Sequence, residues 1–235
     1  MSRISLNSQQ IIHIRNDWFD DSSLTESIAR CIAVQREAAT SARENFCASL
    51  SARHEVSPDA LEQILASGTD IHGIASNHSI SNVISFNADH IRDSVNNRHV
   101  VQLRKDIDEL VFSRLRETFD EGSKLSFVCS GHFWYPPGGY MGWHTNSGAP
   151  GWRVYLTHTS EPKKSFFRYR DPSDGKIVTS YDASWDVRLF RIQPNVPLWH
   201  AIYSETDRFS LGYVIFPRRP LRALAARIKS FLPLG

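Results

Sequence analysis

The sequence predicts an α+β protein in which an N-terminal helical region packs on a C-terminal jelly roll of short strands. Three observations predict it. The chain changes character near residue 122, from segments rich in Ala, Glu and Arg to short runs rich in aromatic and β-branched residues. Turn-forming clusters such as PPGG, DPSDGK and QPNVP separate those runs. The 235 residues, 41% hydrophobic and 22% charged, suffice for one sizeable core. The expected division is a helical region over 1–122, a strand-rich core over 123–217 and a closing amphipathic helix over 218–235, together one integrated domain.

In the first part, residues 24–50 place Leu24, Ile28, Cys31 and Ile32 at helical spacing and read as one helix. SPDALEQILASG follows as a short helix with Ser57 as N-cap, Pro58 at its first position and Gly68 at its end. Residues 81–87, SNVISFN, read as a short strand. Residues 88–119 return to a helical pattern, with Val101, Ile107, Leu110, Val111 and Leu115 as the apolar stripe. After Gly122 come seven strand-like runs: KLSFVCSGHFWY, GWRVYLTHT, KSFFRYRD, KIVTSYD, WDVRLFRIQ, LWHAIYS and RFSLGYVIF. RYRDPSDGK reads as a hairpin with an exposed Asp-Gly turn.

Composition narrows the functional classes. A formal net charge of +2 supplies no electrostatic reason to expect a nucleic-acid partner. No apolar run reaches the roughly 18 residues of a spanning helix, and the N-terminus lacks the apolar core of a signal peptide, so neither membrane nor export is expected. Three cysteines, Cys31, Cys47 and Cys129, are odd in number and match no metal spacing, which points to a reduced, cytoplasmic setting.

The chemistry concentrates in four residues of the strand-rich half. His144 lies in GYMGWHTNSG, His200 in PLWHAIYS, and Arg208 and Ser210 follow in RFS. Neutral imidazoles are common ligands of first-row metals, and a guanidinium beside a hydroxyl suits a carboxylate. In this order the pattern resembles the iron(II)/2-oxoglutarate-dependent oxygenases: H-x-D/E, a long gap, a distal His, then Arg-x-Ser. Tyr135, in the FWYPPG run ahead of His144, resembles a tyrosine of the prolyl 4-hydroxylase-like branch. The resemblance covers about residues 124–217. It implies a double-stranded β-helix, Fe(II) held by His144 and His200, and 2-oxoglutarate held by Arg208 and Ser210, with Tyr135 and Tyr155 as further contacts. The activity it implies is hydroxylation of an unactivated C–H bond in a small molecule or a peptide side chain.

Asn146 departs from the pattern, since it stands where the family has its carboxylate. Three readings stay open. Asn146 ligates the metal through its amide oxygen or holds a metal-bound water; or the position takes chloride, as in related halogenases; or the metal is lost and the jelly roll serves as a non-catalytic binding protein. Asp182, Asp186 and Glu205 are remote carboxylates without the spacing of a third ligand. Arg153 either faces the pocket and meets an acidic substrate or sits on a solvated strand face. Arg168 and Arg170 read as a solvated face with an anionic substrate as the alternative. Trp143, Trp152, Trp199 and Phe133 read as core rather than cavity lining. His78, His90 and His99 have no partner spacing. Oligomeric state is not legible.

Overall fold

The computed structural model describes residues 3–8, 10–68, 80–86, 95–193 and 195–217. The expected closing helix over 218–235, His78 and His90 lie outside these residues. Five α-helices are described: α1 (Ser22–Ala38), α2 (Thr40–Glu44), α3 (Ala52–Glu55), α4 (Pro58–Ser67) and α5 (Val95–Thr118). The single helix expected over 24–50 is therefore interrupted. Its first part ends at Ala39 with φ −103°, and Thr40 and Asn45 side chains then hydrogen-bond to carbonyls of the turn before them. Such local side-chain bonds offer the backbone an alternative to continuing a helix.

α4 forms as its punctuation dictates. The Ser57 hydroxyl accepts from the Ala60 amide, Pro58 occupies the first turn, and Gly68 closes the helix at φ +71°, a left-handed position that favours glycine. In α5 the buried stripe is Val100, Leu103, Ile107, Val111 and Leu115, while Val101 is exposed. The apolar face thus starts one residue earlier than the sequence suggested.

Among the described residues, eleven strands build two antiparallel sheets: β1 (Ile12–Ile14), β2 (Ser81–Asn82), β3 (Ile84–Ser85), β4 (Leu125–Tyr135), β5 (Tyr140–His144), β6 (Gly151–Thr159), β7 (Ser165–Arg170), β8 (Ile177–Tyr181), β9 (Trp185–Ile192), β10 (His200–Ser204) and β11 (Arg208–Pro217). One sheet runs β1-β9-β6-β11-β4-β3 and the other β2-β5-β10-β7-β8. The seven runs expected after Gly122 are all strands. The β5 strand, which carries His144, was hidden in the glycine-rich GGYMGWH and reads as a turn. The single strand expected over 81–87 is two, and they part company: β2 pairs with β5, and β3 pairs with β4 in the other sheet.

Three cores follow from strand alternation. On the outer face of the six-stranded sheet, Trp152, Val154, Leu156, Val187, Leu189, Phe209 and Leu211 pack against Leu24, Ile28, Ile107, Val111 and Leu115 of α1 and α5. On the outer face of the five-stranded sheet, Tyr140, Trp143, Trp199, Ala201 and Tyr203 pack against α3 and α4. Between the sheets lie Tyr135, Phe167, Phe190, Ile192, Leu198 and Ile202, with Phe133, Met141 and Tyr155 against them. Three of the four aromatic residues read as core, Trp143, Trp152 and Trp199, are core on the outer faces; Phe133 faces the space between the sheets. Because β1, β2 and β3 come from the first part of the chain and join both sheets, the composition change near residue 122 is no structural divide.

Candidate metal centre and anion pocket

The two histidines predicted to converge do so. His144 ends β5 and His200 begins β10, their backbones are direct cross-strand partners, and their ring centroids lie 4.0 Å apart. Alternation along β5 would not by itself bring this about. Tyr140 faces outward, so His144, four residues on, would face outward too. The pairing of β5 with β10 carries a register shift between His200 and Ile202, which inserts one extra residue on the β5 side. That bulge keeps Trp143 in the outer core and turns His144 to the interior.

Both rings are oriented by the backbone. His144 Nδ1 lies 2.8 Å from the Gly142 carbonyl oxygen and His200 Nδ1 lies 2.9 Å from that of Leu198. A carbonyl only accepts, so each Nδ1 carries the proton and each Nε2 presents a lone pair. Burial lowers the pKa of His144 and lowers that of His200 well below 6.5; the neighbouring His144 lowers His200 further. Neutral imidazoles held through Nδ1, with the lone pair on Nε2, are the form that binds a metal.

Asn146 is poised over the same place. Its Nδ2 lies 3.3 Å from His200 Nε2 and donates to it. Half a turn of the amide about its last torsion would present Oδ1 there instead. The residue holds φ +53°, a left-handed conformation that Asn and Asp tolerate better than other non-glycine residues. Among the described residues, no group of three or more His, Cys, Asp or Glu is placed to hold a metal ion.

Asp182, one of the remote carboxylates, belongs instead to a second cluster. It is fully buried; its Oδ2 accepts from Arg208 Nε at 2.9 Å and from the Ser165 hydroxyl at 2.5 Å, and its Oδ1 accepts from Arg188 Nη1 at 2.5 Å. Burial raises the Asp182 pKa, and Arg208 and Arg188 more than reverse this, so it stays below the ordinary carboxylate value. Asp186 is 3.4 Å from Arg188 and also accepts from Asn16 and the Ala183 amide. Glu205 pairs with Arg53 at the surface.

Arg208 is likewise fully buried. Its Nη2 donates to Thr157 at 3.2 Å, its guanidinium lies 4.9 Å over the Tyr135 ring, and its Nη1 has no partner among the described residues. Ser210 is two residues along the same interior face, opposite Thr157 and Phe133. Tyr155 packs edge-on against Phe190 at 5.0 Å, and burial keeps its phenol and that of Tyr135 protonated. Arg153 is buried rather than solvated, on the same face of β6 as Tyr155. Arg168 is committed to structure: it donates to the Val56 carbonyl and to Thr179. Sequence reasoning missed Arg188 and the Asp182 pairing. No local signal marks them, because the cluster is completed only when Arg208, from the last strand, reaches Asp182 in the turn between β8 and β9.

The chain is similar to several solved structures. One is a prolyl hydroxylase from Trichoplax adhaerens, solved with a hypoxia inducible factor peptide fragment: 12% identity, TM-score 0.45, covering 89% of this chain and 84% of that one. A second is a prolyl-4-hydroxylase from Pseudomonas putida: 13% identity, TM-score 0.44, covering 89% and 94%. A third is a dioxygenase for auxin oxidation from Arabidopsis thaliana, bound to 2-oxoglutarate: 12% identity, TM-score 0.44, covering 90% and 85%. No protein-family model matches the chain, and no curated protein does. At these identities and TM-scores the fold is defined by the strand order and register given above.

Proposed function

We propose that this protein is an iron(II)- and 2-oxoglutarate-dependent oxygenase that hydroxylates a C–H bond of a small molecule or peptide side chain. The observation that carries the reading is the pair of buried imidazoles, 4.0 Å apart, each with Nδ1 tied to a carbonyl so that its lone pair lies on Nε2. The residues fit the group. His144 and His200 would hold the metal, and the Asn146 amide stands beside them as an oxygen ligand or a water holder. The unpartnered Arg208 Nη1 is a buried donor without an acceptor, which suits one oxygen of the cosubstrate's distal carboxylate, with Ser210 alongside.

When bound, iron and 2-oxoglutarate supply the oxidising power for attack on an unactivated C–H bond. The chain's own contribution is placement. Gly142 and Leu198 hold the two imidazoles in one tautomer. Tyr135 and Phe167 line the interior and exclude water, which strengthens the charge interactions inside. Asp182 holds Arg208 by one edge and so fixes which nitrogen remains free. Among the halogenase, binding-protein and oxygenase readings of Asn146, its amide within 3.3 Å of His200 Nε2 favours the oxygenase, because the side chain fills the space that a halide would take.

Anaerobic titration with Fe(II) and then 2-oxoglutarate tests the proposal. A weak visible charge-transfer band that needs both components is expected. Absence of the band, with no stabilisation by either component, would leave a binding protein on the same jelly roll.

A further inference from the structure

Arg153 is the one cation between the sheets whose counter-charge is missing among the described residues. It is 3% exposed, on the β6 face opposite the helix-side core residues Trp152, Val154 and Leu156. Its guanidinium donates only to backbone carbonyls: Nη2 to Ala149 and Nη1 to Trp152 at 3.4 Å. A guanidinium does not shed its proton in a protein, so it cannot escape burial by neutralising. A buried charge held by neutral carbonyls alone is costly unless a partner arrives.

Its position says where that partner sits. Arg153 is the cross-strand neighbour of Phe190, and the Phe190 ring lies 5.5 Å from the His200 ring. The deeper arginines are already balanced: Arg208 and Arg188 share Asp182, and Arg188 also meets Asp186. Among the described residues, the histidine end of the interior therefore carries one positive charge in excess.

We propose that Arg153 anchors a carboxylate of the substrate beside the two histidines. A carboxylate brings one negative charge and matches the excess; a phosphate monoester would bring nearly two. The planar fork of the guanidinium suits the two oxygens of a carboxylate. This rests on the oxygenase reading only for calling the bound molecule a substrate.

The test uses the full chain before any metal is added, with acetate as the probe and acetamide as its uncharged twin at matched ionic strength. Acetate is expected to raise the melting temperature of the wild type and acetamide to leave it unchanged. Arg153→Met should weaken the acetate response at least tenfold, while the response to Fe(II) plus 2-oxoglutarate stays within threefold of wild type. Should the Met variant not fold, Arg153→Gln keeps a donor for the Ala149 carbonyl and reads the same loss. An acetate response absent from the wild type, or equal in wild type and variant, would overturn the proposal. So would a variant that loses its 2-oxoglutarate response, since Arg153 would then hold the cosubstrate. An Arg153-dependent acetate response in a protein indifferent to Fe(II) and 2-oxoglutarate would keep the carboxylate site and remove the oxygenase reading.

Discussion

The two ends of the space between the sheets solve opposite problems. At one end His144 and His200 are neutral and tied to carbonyls through Nδ1, their ring centroids 4.0 Å apart. At the other end Arg188, Arg208, Asp182 and Asp186 form a charged network in which most donors are already met. The first end is held only by backbone carbonyls and the Asn146 amide; the second meets most of its donors with its own carboxylates. The difference teaches that buried polar residues between the sheets divide into those tied to the backbone and those whose charges are met by other side chains. Partners, rather than residue types, make the division.

Breaking the charged end should have the largest effect. Asp182→Ala leaves two buried guanidinia without their shared carboxylate and should cost about 3–5 kcal/mol of stability, read by denaturant unfolding. A loss no larger than that of an average surface substitution would mean that the arginines find other partners. At the histidine end the effect should fall on binding. His200→Ala should weaken Fe(II) affinity at least about 100-fold by calorimetry, comparable with loss of a ligand or its support, with a smaller stability change than Asp182→Ala. Equal metal affinity would separate the two rings from any metal role.

A third buried histidine sharpens the comparison. His132 is 2% exposed and neither ring nitrogen has a partner among the described residues. Burial, with Arg104 adding to it, lowers its pKa to about 3. The unfolded chain takes up that proton first, near pH 6.5. Stability from this group is therefore whole above pH 6.5 and drains away as pH falls toward about 3. His132→Leu should lose less stability than wild type between pH 7 and pH 5, by about 2 kcal/mol. An unchanged pH slope would show the ring to be hydrated or paired in solution.

The smallest expected effect is at the position that departs from the family pattern. Asn146→Asp keeps a residue that tolerates φ +53° and offers a charged oxygen beside His200. Fe(II) affinity should rise about tenfold, equivalent to roughly 1.4 kcal/mol. Unaltered affinity would place this side chain away from the metal.

Much of the molecule was legible in advance. Strand periodicity located seven of the strands, and cap chemistry set the ends of α4, because both are local patterns carried by neighbouring residues. The pairing of two distant histidines was legible too, through their order with Arg208 and Ser210. The β5 strand was not, because its glycines mask the alternation and its register shift answers to β10 across the sheet.

The sequence alone determined which residues are available: two imidazoles, an amide where a carboxylate is expected, and an arginine in an RFS run. Only the tertiary structure decided their roles. The bulge in β5 turned His144 inward, Asp182 claimed one edge of Arg208, and Arg153 was buried with no counter-ion among the described residues. The physical reason is that charge balance and ring orientation depend on cross-sheet neighbours, and nothing along the chain records which carboxylate will face which guanidinium.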